Sequence, residues 1–167
     1  MISVLSLSEA FAVLTAGQKV ARAIFDALQC EKEIKPIDDS LDTIGYELIF
    51  CGFAVQGHSV PTKAKPFLKK LAKDQKVAFF TTHGSLRGDI FPRQALEDAL
   101  GMTTQAKLMG TFGCRGKVKP DLIDALAKQL QHEAWADEAL SAHDHPTVAD
   151  LQDAAAFARE MCKKAQI

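Results

Sequence analysis

The 167 residues fall within the size of one domain, and a chain of this length buries roughly two-thirds of the surface its unfolded form exposes, so one domain over residues 1–167 is expected. A hydrophobic fraction of 47%, a charged fraction of 25% and a formal net charge of −1 exclude binding to nucleic acid or an anionic membrane through bulk charge. The longest apolar runs, such as Leu48–Phe50 and Val77–Phe80, fall far short of the roughly 20 residues needed to cross a bilayer, and Met1–Ala16 lacks a basic leader, so a cytoplasmic location is expected.

Ile2–Leu7 predicts a first strand. Lys19–Leu28 follows with Val20, Ala21, Ile24, Ala27 and Leu28 at helical spacing, a face to lay on a sheet. Ile34–Ile37 predicts a short second strand weakened by Pro36, and the polar Asp38–Thr43 a loop. Tyr46–Phe53 and Lys76–Thr81 are dense in aliphatic and aromatic residues without polar alternation, as in strands covered on both faces. Between them Thr62–Lys73 sets Ala64, Phe67, Leu68 and Leu71 against lysines, predicting a surface helix. Phe91–Leu100 and Pro120–Gln131 read as helices flanking a fifth strand at Lys107–Phe112, and Thr147–Lys164 as the last helix.

His132–Pro146 reads as an irregular excursion with Trp135 capping the core beneath it. His132, His143 and His145, with Asp137 and Asp144, follow no i, i+4 spacing and are read as surface residues rather than metal ligands. Cys30, Cys51, Cys114 and Cys162 form no C-x-x-C pair, which removes a zinc knuckle or dithiol motif and leaves reduced, mostly buried thiols.

Five strands alternating with helices fit an α/β, doubly wound parallel sheet, in which ligands bind beyond the carboxyl ends of the strands at the switch point. The loops to inspect are then Ser8–Gln18, Gly52–Pro61, Thr82–Ile90 and Gly113–Lys117, each with glycine and small polar residues.

Four blocks occur in order: Y-E-L-I-F-C-G-F-A-V-Q-G-H-S from Tyr46, K-V-A-F-F-T-T-H-G-S from Lys76, M-G-T-F-G-C-R-G-K-V from Met109 and H-P-T-V-A-D-L-Q-D-A-A-A-F-A-R-E from His145. Together, over roughly Asp42 to the C-terminus, they resemble a short flavodoxin-like protein family. The resemblance implies a five-stranded sheet of order 2-1-3-4-5 and a bound flavin mononucleotide (FMN) that passes electrons to a redox partner protein, an oxidoreductase.

It also implies site residues. The family's T-G-N-T-like phosphate turn corresponds to Thr15, Ala16, Gly17 and Gln18, where Thr15 and Gly17 keep the chemistry and a hydroxyl at Gln18 is lost; the other reading makes Thr15 an ordinary helix cap. In the second loop, whose cofactor-binding candidates are Phe53, Ala54, Val55, Gln56 and Gly57, an aromatic wall is expected where Gly52-Phe53-Ala54-Val55 stands; Ala54 supplies none, Phe53 alternates toward the core, and Gln56, Gly57, His58 and Ser59 offer donors to the ring edge. The third loop offers Thr82, Gly84 and Ser85 to the ribityl chain or the pyrimidine edge, with Leu86 where a tyrosine is common, while His83 either stacks on the ring or is solvated. In the fourth, Cys114 reads as a small residue packed near the ligand, and Arg115 and Lys117 as solvated or as facing an acidic partner or the phosphate.

Two functions stay open: an FMN-binding electron-transfer protein, and a flavodoxin-fold interaction or ligand-binding module that has lost FMN. A phospho-receiver domain needs an Asp after strand three, where Gly52-Phe53-Ala54 stands.

Overall fold

The computed structural model describes residues 1–6, 15–38, 40–56, 58–86, 88–128 and 133–167; the predicted roles of Leu7, Gly57 and His132 lie outside them. Five strands, β1 (Ile2–Ser6), β2 (Lys32–Pro36), β3 (Leu48–Ala54), β4 (Lys76–His83) and β5 (Lys107–Arg115), form one parallel sheet in the order β2-β1-β3-β4-β5. The helices are α1 (Ala16–Ala27), α2 (Lys65–Lys69), α3 (Ile90–Met102), α4 (Pro120–Ala127), α5 (Glu133–Leu140) and α6 (Val148–Ala165). Among the described residues, no helix is long and apolar enough to cross a membrane.

Strand alternation builds two cores. On one face Ile2, Val4, Leu48, Phe50, Ala78 and Phe80 meet Val20, Ala21 and Ile24 of α1 and Ala154, Phe157, Ala158 and Met161 of α6. Phe157 stands edge-on to Phe50 at 6.0 Å and stacks on Phe112 at 5.6 Å, a geometry that contributes beyond area burial. On the other face Ile49, Cys51, Phe53, Val77 and Phe79 meet Phe67, Leu68, Ala95 and Ala99 of α2 and α3. Burial pushes the Cys51 thiol far above its usual value and the Cys162 thiol up to about 11, which keeps both protonated.

β2 is an edge strand, and Lys32, Glu33, Lys35 and Pro36 make it a poor template for another chain. It begins two residues before the expected Ile34, because Lys32 already pairs with Ile2, and its pairing with the described part of β1 runs to Pro36 beside Ser6. The expected helix Thr62–Lys73 is observed as the five residues Lys65–Lys69, and Pro66, which has no amide to donate back to the preceding turn, accounts for its late start. Conversely β4 and β5 run on to His83 and Arg115, and α1 begins three residues before Lys19.

Within His132–Pro146 the described residues are a helix followed by turns rather than irregular throughout. The helix is α5, whose Ala136 and Ala139 pack with Trp135, Val118 and Ile123 into a third small cluster beside α4. His143 pairs with Asp144 in solvent, His145 binds Asp150, and no group of ligating side chains suited to a metal exists among the described residues.

A capping box starts α6: Thr147 Oγ1 accepts from the Asp150 amide at 3.2 Å, and Asp150 accepts from the Thr147 amide at 2.8 Å. Desolvation raises the Asp150 carboxyl, but hydrogen bonds from the Thr147 backbone, the His145 ring and the Thr147 hydroxyl outweigh it, leaving the group below the ordinary carboxylate value. A depressed folded pKa stabilises above the unfolded carboxylate value, and this is lost as pH falls through the lower folded one. Asp150→Ala is therefore expected to cost about 1 kcal/mol at neutral pH and much less in acid, read by urea denaturation across pH.

Candidate functional site

The switch point of this order lies between β1 and β3, whose neighbours β2 and β4 lie on opposite sides. Register places Ala54 beside Thr82 and Thr82 beside Cys114, so β3, β4 and β5 reach one level, while Ser6 lies beside Gly52, two residues below it. By alternation Ser6, Ala54, Thr82 and Cys114 share the face that carries α1.

The N-terminus of α1 comes to this level. A side chain starting at Gly17 would reach 3.9 Å from both Ser6 Oγ and Thr82 Oγ1, so two strand-end hydroxyls face the first turn of the helix. Ser6 is 5% exposed and its Oγ has no hydrogen-bond partner among the described residues, and a buried hydroxyl left without one costs stability. Gly116 closes the cradle: a Cβ there would lie 2.7 Å from Ala16 Cβ and 3.1 Å from Thr82 Cβ.

Thr15 is the N-cap of α1, and its hydroxyl accepts from the Gln18 amide at 3.3 Å while the Gln18 side chain accepts from the Thr15 amide at 2.8 Å. The box consumes two of the amides a phosphate turn would present. What remains is the Ala16 and Gly17 amides, which have no partner among the described residues, and the Thr15 hydroxyl proton. No acidic residue stands in the first turn, so the positive end of the helix is not neutralised there.

The second loop is less open to a ligand than its sequence suggests. The Val55 amide donates to Thr82 O at 2.9 Å, and Gln56 and Ser59 exchange both backbone hydrogen bonds in a tight turn. Their backbone amides are therefore spent, while the Gln56 side chain is exposed. Phe53 is buried against Phe79, so its ring belongs to the core. His58, at φ 62°, lays its ring on Phe91 with centroids 3.8 Å apart, making an aromatic pair that ties this loop to α3. Ala54 is exposed, and Leu86 is 52% exposed.

In the third loop His83 is not solvated: it is 7% exposed, its Nδ1 lies 3.0 Å from Ser85 O, and alternation puts it on the face opposite Thr82. Ser85 is buried as well. Gly84 is required for packing, because a Cβ there would lie 2.6 Å from Val118 Cγ2 and 3.3 Å from Ala139 Cβ, with Trp135 at 3.5 Å. Cys114 is fully buried in the core on the α1 face. Arg115 is neither solvated nor turned to a phosphate; Nη2 donates to Gly84 O, Glu138 O and Ser141 Oγ. Lys117 is exposed.

A parallel sheet of order 2-1-3-4-5 with helices on both faces, opening at a glycine-containing helix N-terminus, defines a flavodoxin-like α/β protein. The flavodoxin domain family model matches residues 14–159, and the chain belongs to that family. A relative, the flavodoxin-like domain-containing protein BilS of Clostridioides difficile (strain CD3), is 25% identical over 162 residues, covering 90% of this chain and 92% of that one. The fold is similar to that of oxidised flavodoxin 2 from Bacillus cereus, with a TM-score of 0.62, 16% identity and 98% of each chain covered. It is also similar to a flavoprotein in complex with FMN from Lactobacillus acidophilus NCFM, at a TM-score of 0.53 and 16% identity over 67% of this chain and 91% of that one.

Proposed function

We propose that the protein binds FMN across the carboxyl ends of β1, β3 and β4 and carries electrons to a partner oxidoreductase. The observation that supports this best is the donor set at the head of α1. The Ser6 and Thr82 hydroxyls face the Gly17 position in the first turn of α1, which also holds the Ala16 and Gly17 amides beside the Thr15 cap and carries no carboxylate, and the buried Ser6 Oγ lacks a partner among the described residues. Such a set suits a phosphate dianion. When bound, FMN supplies the redox chemistry, accepting and releasing one or two electrons.

The chain's own residues hold and orient. Gly17 lets the phosphate approach backbone amides, Ser6 and Thr82 add hydroxyl donors, and the Gln56 side chain offers a contact to the ring edge. Ala54 and Leu86 would flank a bound ring and would contribute area without aromatic stacking.

Titration of the purified chain with FMN, followed by visible absorbance and flavin fluorescence, is expected to reach one FMN per chain with a dissociation constant below about 10 μM. A second reading, an interaction or ligand-binding module of the same fold without FMN, is favoured by the exposed Ala54 and Leu86 and by the two amides spent in the capping box. Spectra that ignore added FMN, with retention of another planar compound in equilibrium dialysis, would put that reading first.

A further inference from the structure

We propose that Arg115, acting with Glu138, is a positioning residue that fixes the Gly84–Leu86 wall of the flavin site; this rests on the FMN reading above. Arg115 ends β5 beside His83 of β4, one residue before the third loop leaves the sheet. From there its Nη2 donates to Gly84 O at 3.1 Å, to Glu138 O at 2.5 Å and to Ser141 Oγ at 2.7 Å. One guanidinium thus joins the first residue of the loop to the last turn of α5. The Glu138 carboxylate returns from α5 and accepts from the Leu86 amide at 3.4 Å. The wall is consequently held at both ends, at Gly84 by its carbonyl and at Leu86 by its amide.

Packing makes the same connection. Val118, Ala139 and Trp135 fill the space over Gly84, so the loop lies against α5 without a side chain between them. Leu86 itself, 52% exposed, has little burial to hold it. Its position beside the ring therefore depends on polar anchors supplied from outside the loop. A glutamate at 138 and an arginine at 115 do for an aliphatic wall what stacking and burial do for an aromatic one.

The test compares wild type with Arg115→Met, Arg115→Lys and Glu138→Gln. In the flavin-free chain, hydrogen exchange of the segment 84–86 is expected to rise on the order of tenfold in Arg115→Met, with exchange in β1 and β3 unchanged. Trp135, the single tryptophan, should shift its emission as α5 loosens. In binding, Arg115→Met should weaken FMN and riboflavin alike, on the order of tenfold, because the wall meets the ring and not the phosphate. Arg115→Lys should fall between, since one nitrogen serves all three acceptors and an ammonium can imitate it where it reaches.

Unchanged exchange at 84–86, or exchange that rises equally throughout the chain, overturns the proposal, as does a loss of FMN affinity that spares riboflavin. A wild-type chain that binds neither flavin overturns the functional reading and the flavin role of the clamp with it, and the clamp itself then stands or falls on the exchange measurement.

Discussion

Gly17→Asp is expected to abolish FMN binding while leaving the fold intact or slightly more stable. A Cβ at Gly17 would meet Ser6 Oγ and Thr82 Oγ1 at 3.9 Å, ordinary van der Waals contact without overlap, so the new side chain is expected to start beside these two hydroxyls without displacing the backbone. It would also place a negative charge on the first turn of α1, which holds none, and such a charge stabilises a helix by roughly 0.3–1 kcal/mol. Toward a phosphate the same charge acts in reverse, taking the donors and repelling the dianion. Losing two or more charge-assisted hydrogen bonds corresponds to at least about 100-fold in affinity, or about 2.8 kcal/mol. Riboflavin, which lacks the phosphate, should bind the variant and the wild type equally. Isothermal titration with both flavins, beside a thermal melt, reads all three expectations; equal losses for FMN and riboflavin would mean that the phosphate does not sit at α1.

The largest effect on stability is expected at Gly52, one layer below the site. A Cβ there would lie 2.0 Å from Cε2 and Cζ of Phe80, whose ring fills the room the glycine leaves in the middle of the sheet. Phe80 is 1% exposed and packed within the α1 and α6 core, so it cannot swing aside. Gly52→Ala should cost about 3 kcal/mol or more, lowering Tm by roughly 6–12 °C for a chain of this size. Adding Phe80→Leu, which removes the clashing ring atoms, should recover part of that loss, so that the pair is strongly non-additive in a double-mutant cycle. Gly101→Ala serves as the control: it is helical, nothing lies within 4 Å of its Cβ position, and a gain of roughly 0.5–1 kcal/mol is expected.

The strands and helices that face both cores could be read from the chain because their signal is the density of apolar residues. β3 and β4 are nearly continuous runs, and α1 carries a stripe that the packing bears out; α6 turns Ala154, Phe157, Ala158 and Met161 to the core, whereas Val148, read as part of its apolar stripe with Leu151, Ala155, Ala158 and Met161, is 73% exposed. The reading stopped short at the carboxyl ends of β4 and β5, where Thr82, His83, Cys114 and Arg115 remain in the ladder. In a parallel sheet those ends turn from the core toward a ligand, so polar residues appear before the hydrogen bonding stops. Ser6 was missed for the same reason; its signal is a hydroxyl in step with Ile2 and Val4, ending a strand otherwise buried on that face.

α5 escaped because its buried stripe is made of Ala136 and Ala139 beside one tryptophan, too small an apolar surface to stand out among charged neighbours. Gly84 and Arg115 escaped with it. Glycine suggests approach to a ligand and arginine suggests solvent or an anion, whereas here each answers to an element distant in sequence. Local pattern carries no information about such a partner until the fold brings it near.

The reciprocal hydrogen bonds between Thr15 and Gln18 bear on the entropy of binding. A helix start that must wait for a phosphate to satisfy its amides is ordered by the ligand, and part of the binding energy is spent on that ordering. Here the chain closes its own first turn, so α1 is already helical at Ala16 before any ligand arrives. The two amides given up to the box lower the number of contacts, while preorganisation lets each remaining contact appear more fully as affinity.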